Sequence, residues 1–435
     1  MMGSNGNARR SAAVTALALG VVLAALLRAA PGAAQGQQWP DPDPELLARA
    51  RAVLAETPVF DGHNDLPSQI LNEAGADPLR IDLSRRGDRF HTDLVRLREG
   101  RVGAQFWSAY VSVDYLATGG LRRALEEIDA VHRLVGAYPD RLEMAYTADD
   151  VQRIRASGKV ASLIGVEGGH AIENSLAALR MFHALGVRYM TLTHSRTHDW
   201  ADASTDAAQH QGLSEFGEEV VREMNRLGIF VDVSHVSRET MLDALRVTRA
   251  PVIFSHSSAR ALNAHPRNVP DDVLRLLPDN GGVVMATFVP AFVAPRAGAW
   301  SEARDSVREA LSARLDDPVT IRAELDAWQD AHPQPRGTIS DMADHIDHLV
   351  NVAGIDHVGI GSDFDGIGAT IVGLEDVSRF PYLFAELLGR GHGEDDLRKI
   401  ASGNVLRAMR EMEAAARRLR AEERPRLLEA GLVPD

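Results

Sequence analysis

Val59-Phe60-Asp61-Gly62-His63-Asn64-Asp65 is the stretch from which the rest of this chain can be read. The apolar pair opens a short strand, and the strand delivers a histidine and a carboxylate two positions apart. On an extended chain, residues i and i+2 point the same way, so His63 and Asp65 are placed to grip one metal ion together. Alone, such a triplet is weak evidence because it arises by chance. Its weight comes from the other strands, several of which end in the same kind of residue.

Downstream, short apolar segments rich in β-branched residues alternate with helix-like segments. The strand candidates are 59–63, 102–111, 160–167, 187–194, 229–235, 251–256, 282–289 and 357–363. Helical stretches are expected over 44–56, 121–138, 175–185, 215–227, 238–248 and 339–352. Eight strands, each followed by a helix, predict a (β/α)8 barrel of the metal-dependent hydrolase kind, although serial βα units also fit a doubly wound sheet. One stretch breaks the rhythm. Residues 290–337, with a helical pattern near 306–328, read as a helical insertion after strand seven.

A barrel enzyme builds its site at the C-terminal ends of the strands, so residues able to bind metal or move protons should collect there. Strand one ends in His63 and Asp65, strand three in Glu167, strand four in His194, strand five in His235, strand six in His256, and strand eight in Asp363 and Asp365. One such residue reads as an ordinary buried hydrogen-bonded group. So many would each need a separate buried partner, and a shared metal centre explains them together. Imidazole and carboxylate without thiolate suit zinc, with manganese, cobalt or iron as alternatives.

The chain resembles the membrane (renal) dipeptidases, also called dehydropeptidase I. The matching segments are Asp61–Pro67 (DGHNDLP), Gly103–Ser108 (GAQFWS), Val160–His170 (VASLIGVEGGH) and Tyr189–His194 (YMTLTH). Further matches are Pro251–Ser258 (PVIFSHSS), Arg267–Val273 (RNVPDDV) and Asp363–Gly366 (DFDG), and the likeness runs from about Thr57 to Met409. The resemblance implies an exported bacterial dipeptidase with two Zn2+ ions per subunit that attacks the peptide bond with a metal-bridging hydroxide. In it, His63 and Asp65 match the ligands of the first ion, His235 and His256 those of the second, and Glu167 the bridging carboxylate. His194 matches the residue that binds the substrate carbonyl and its oxyanion. Arg267 matches the arginine holding the terminal carboxylate, and Asp363 the acid/base. Dipeptides with a C-terminal D-residue and a homodimeric assembly are implied in the same way. The rival readings are a binuclear hydrolase of non-peptide amides or lactones, β-lactams included, and a catalytically silent metal-binding protein.

The remaining signals set the context. A net charge of -14 argues against a nucleic-acid partner. Arg9 and Arg10, the apolar run 12–27 and small residues to Ala34 read as a signal peptide and leader over residues 1–36. They predict export to a bacterial periplasm, or secretion, with no membrane anchor after cleavage. The chain contains no cysteine, which excludes disulfides and a lipoprotein anchor. The barrel is expected over 37–413, with a charged helix or tail over 414–435. His345 and His348 mimic a metal pair but read as a solvated helix face. His170 reads as structural or as support for the ligands. His198 lies in the loop 195–211, where contact with substrate is the less favoured reading.

Overall fold

The computed structural model describes residues 39–75 and 77–426. The expected signal and leader, and the end of the expected tail, lie outside the described residues.

Among the described residues, nine strands form one parallel sheet: β1 (Val59–Asn64), β2 (Val102–Tyr110), β3 (Leu142–Met144), β4 (Val160–Glu167), β5 (Val187–Thr191), β6 (Phe230–Asp232), β7 (Ile253–Phe254), β8 (Val283–Ala286) and β9 (Val358–Ile360). The sheet closes on itself. β1 pairs with both β2 and β9, and β2 pairs with β4 along Ala104–Tyr110, so eight strands form a ring and the doubly wound alternative falls away. β3 stands outside that ring. It pairs only with Val160–Ser162 of β4, on the edge that β5 takes over from Ile164 onward. The pattern of apolar residues did not reveal β3, because three residues are too few to show a period.

Strand starts follow the sequence closely, whereas several strand ends come early. β5, β6 and β7 leave their ladders at Thr191, Asp232 and Phe254, short of His194, His235 and His256. The backbone has to turn out of the sheet to aim these side chains across the barrel mouth. His235 does so with a left-handed φ of 69°, and Asp363 after β9 with 66°. Non-glycine residues rarely hold that conformation, and where they do it clusters at functional sites.

Helices between the strands fall where the 3.6-residue pattern places them, for example Glu215–Leu227 and Ile339–Ala353. The side chains of Ser214, Ser237 and Thr338 each accept a backbone N–H from the first turn of the adjoining helix. Phe60, Phe106, Leu163, Tyr189, Phe230 and Met285 belong to one buried cluster, joined by Val405, Met409 and Met412 of the helix Asn404–Glu422. That helix runs unbroken through residue 413 and also buries Ala415, Ala416 and Leu419, so the polypeptide on either side of 413 is a single element.

The insertion comes after β8, the seventh strand of the closed ring, as three helices: Pro290–Val293, Pro295–Ser312 and Pro318–Ala331. The single pattern expected near 306–328 is split between the last two. Asp317 caps the third helix by accepting the N–H groups of Val319 and Thr320. Trp300 and Trp328 pack across this pair with ring centres 5.6 Å apart.

Candidate active site

Glu167, the last residue of β4, stands at the centre of the mouth. Its Oε1 lies 3.0 Å from His235 Nε2, 3.4 Å from His256 Nε2 and 4.0 Å from His194 Nε2. Its Oε2 lies 3.6 Å from His63 Nε2, which in turn is 3.2 Å from Asp65 Oδ2. Asp363 completes a third group with His63 and Asp65. The seven strand-end residues His63, Asp65, Glu167, His194, His235, His256 and Asp363 therefore meet in one place. Asp365 does not join them. Its Oδ1 accepts the backbone N–H of His91 at 2.7 Å, and burial lifts its carboxyl to about 7.

The hydrogen bonds behind His256 set its tautomer. Ser255 Oγ lies 2.7 Å from His256 Nδ1 and donates to Asp232 Oδ2, also at 2.7 Å. Since that hydroxyl proton goes to Asp232, the imidazole proton sits on Nδ1, and His256 Nε2 is a bare lone pair. It faces His235 Nε2 at 3.0 Å and the Glu167 carboxylate. His63 is anchored from behind as well: its Nδ1 lies 2.7 Å from the Tyr189 hydroxyl, and its buried Nε2 faces Asp65 and Glu167. Lewis bases this close, two of them histidines held by a second layer of hydrogen bonds, fit a metal cation. Tyr189 reaches His63 because its β4 neighbour is Gly165, where an added Cβ would run into the tyrosine ring.

Electrostatics agree with this arrangement. Burial opposes charge on Glu167, but the His63 ring and the hydrogen bond from His235 outweigh it and hold the carboxyl well below the usual range. Burial, helped by Asp65 and Glu167, pushes the Asp363 carboxyl well above it, against the pull of His63 and Arg267. His194 is lowered by burial and is neutral near pH 7. The edge of its ring meets Tyr110, with centres 4.9 Å apart.

Arg267 lies on the long loop after β7, buried behind His256. Nη2 donates to the His256 carbonyl at 3.2 Å and Nη1 to Ser257 Oγ at 3.4 Å, while Nε has no partner. Burial lowers this guanidinium to about 10, although Asp363 and Glu167 pull the other way. An arginine whose fork is held by no carboxylate of its own is open to one from outside.

A profile of the membrane dipeptidases, peptidase family M19, matches residues 47–423. The chain belongs to this family. Dipeptidase verJ of Clonostachys rogersoniana is 41% identical over 387 residues, which cover 86% of this chain and 89% of that protein. The probable dipeptidase PvdM of Pseudomonas aeruginosa superimposes with a TM-score of 0.76 at 25% identity, over 86% of this chain and 99% of that one. A metallo peptidase of Rhodobacter sphaeroides, solved with a phosphinate mimic of the dipeptide L-Ala-D-Ala, gives 0.67 at 26% identity, over 82% and 99%. As an M19 member, the chain is a metal-dependent peptidase that hydrolyses dipeptides.

The other histidines of the M19 chain fall away from this centre. His170 Nε2 donates to the Ser112 carbonyl and His198 Nε2 to that of Leu192, and burial lowers both to about 4. His348 bonds Asp271 at 2.8 Å. His345 corrects an expectation. It is not on a solvated face but 1% exposed, because the insertion returns over its helix and both ring nitrogens find backbone partners. The supporting residues Asp232, Ser255 and Tyr189 carried no signal of their own. Their roles depend on which strands are neighbours, and the spacing of serine after aspartate in Asp232-Val233-Ser234-His235 and before histidine in Ser255-His256 is the one trace they left.

Proposed function

We propose that the chain is a zinc dipeptidase holding two ions, which accepts dipeptides with either an L- or a D-residue at the C-terminus. The observation that carries this reading is Glu167, whose two carboxylate oxygens face imidazoles of different strands, His63 on one side and His235 and His256 on the other. His63 and Asp65 would hold one ion, His235 and His256 the other, and Glu167 both. Two such ions supply Lewis acidity and a water acidic enough to attack near neutral pH. The protein's own groups do the rest. Arg267 receives the terminal carboxylate and sets how far the substrate enters. His194, neutral and at the rim, donates a hydrogen bond to the scissile carbonyl oxygen as charge develops there. Asp363 takes the proton of the attacking water and hands it to the departing amine. The leader-like residues 9–34 support export to a bacterial periplasm, and family likeness supports a homodimer.

The test is kcat/KM of the purified mature protein on matched L-L and L-D dipeptides, before and after chelation and zinc return. Turnover of both, lost on chelation and restored with two zinc ions per chain by elemental analysis, is expected. Faster turnover of lactones or β-lactams than of any dipeptide would favour a non-peptide substrate. Arg267→Ala is expected to raise KM for dipeptides by the equivalent of about 2–5 kcal/mol, the range for removing one partner of a buried charge pair. An unchanged KM would mean that another residue reads the carboxylate.

A further inference from the structure

The turn at the entrance of the insertion is built in an unusual way. Helix Pro290–Val293 is cut short by Pro295, which has no N–H to offer the carbonyl of Ala291. Carbonyls stranded at a helix end must find other donors. Here three in succession are taken by side chains from elsewhere: Ala291 O by Asn263 Nδ2 at 2.9 Å, Phe292 O by Asn268 Nδ2 at 2.7 Å, and Val293 O by His345 Nε2 at 3.0 Å.

The three donors are themselves tied together. Asn268 Nδ2 also donates to the Asn263 carbonyl at 2.9 Å, which fixes the orientation of its amide. His345 Nδ1 accepts the backbone N–H of Ala259 at 3.1 Å, so Nε2 carries the proton and the tautomer is set. Ala259, Asn263 and Asn268 all belong to the loop that starts at His256 and carries Arg267. The clamp therefore joins the insertion to the carboxylate-reading loop and to the helix Ile339–Ala353. Its product is the Phe292 ring, held 5.2 Å from the guanidinium carbon of Arg267. The bonds of Arg267 to Ser257 and His256 are long and involve no carboxylate, so packing has to settle its aim.

We propose that His345, together with Asn263, is a positioning residue for substrate binding: the clamp holds the insertion's first turn against Arg267 and so aims the guanidinium at the dipeptide's carboxylate. This rests on the reading of Arg267 as the group that receives that carboxylate.

The experiment compares His345→Leu, His345→Gln and Arg267→Ala on a dipeptide and on the same dipeptide as its C-terminal amide, with metal content measured in each. A glutamine amide can donate and accept over the same span. For His345→Leu, KM for the free dipeptide is expected to rise at least about tenfold with kcat within about threefold, a loss of binding and not of chemistry. Metal content and the low kcat/KM for the amide should not move, and His345→Gln should restore KM to within about threefold. A fall in metal content, a fall in kcat at unchanged KM, or kinetics identical to the parent would each overturn the proposal. Should His345→Leu not fold, Asn263→Ala carries the test under the same criteria. If Arg267→Ala leaves KM unaltered, the carboxylate reading itself fails. If it raises KM while His345→Leu does not, only the clamp falls.

Discussion

Glu167→Gln is expected to abolish turnover, with kcat down by about 10³-fold or more, roughly 4 kcal/mol of transition-state stabilisation. The substitution keeps shape and removes one charge, and that charge is shared among His63, His235 and His256 at 3.0–3.6 Å. A glutamine also turns one oxygen into an N–H donor aimed at ligand atoms, which opposes a cation there. Metal content after dialysis should therefore fall together with activity. Elemental analysis beside steady-state kinetics checks both, and a fully metallated, active variant would remove Glu167 from the centre.

Asp363→Asn should behave differently, and the contrast is informative. Asparagine fills the same space, so metal content should be unchanged and KM should hold, while kcat drops by about 10²–10⁴-fold for want of a proton carrier. Local packing makes the substitution clean. Asp363 N–H bonds the His63 carbonyl at 3.1 Å, and Gly366 leaves the room its carboxylate needs, since a Cβ there would lie 2.5 Å from Asp363 Oδ1. The geometry allows a rival role, because Asp363 also groups with His63 and Asp65 as a set able to hold a cation. Loss of metal in Asp363→Asn would assign it that role and move the proton relay elsewhere. Stopped-flow or steady-state rates on metal-replete protein decide the matter.

Much of the barrel was legible because it rests on periodicity and on what stands at the ends of strands. His63 and Asp65 show their shared direction by spacing alone, and Glu167, His194, His235 and His256 each come after an apolar run. What stayed hidden depends on neighbours in space. The bond from Tyr189 to His63 spans 126 residues, and it becomes visible only when Gly165 and Tyr189 are seen to pair. Asp232 supports His256 through Ser255 because β6 lies beside β7. The burial of His345 is hidden for a related reason. The run Asp344-His345-Ile346-Asp347-His348 has the polarity of an exposed helix face, and only the returning insertion buries its first histidine. Strand ends were placed too far along because apolar pattern carries no information about the left-handed turn at His235.

The ring of strands has a consequence for how the enzyme is made. His63 and Asp363 stand far apart in the sequence, and they become neighbours only when β9 docks against β1. Contacts so distant in sequence form late and slowly. Until then the residues able to hold metal are scattered along the polypeptide, and affinity for a cation should rise with folding because the two are linked. Metal retention by this centre is therefore tied to closure of the ring.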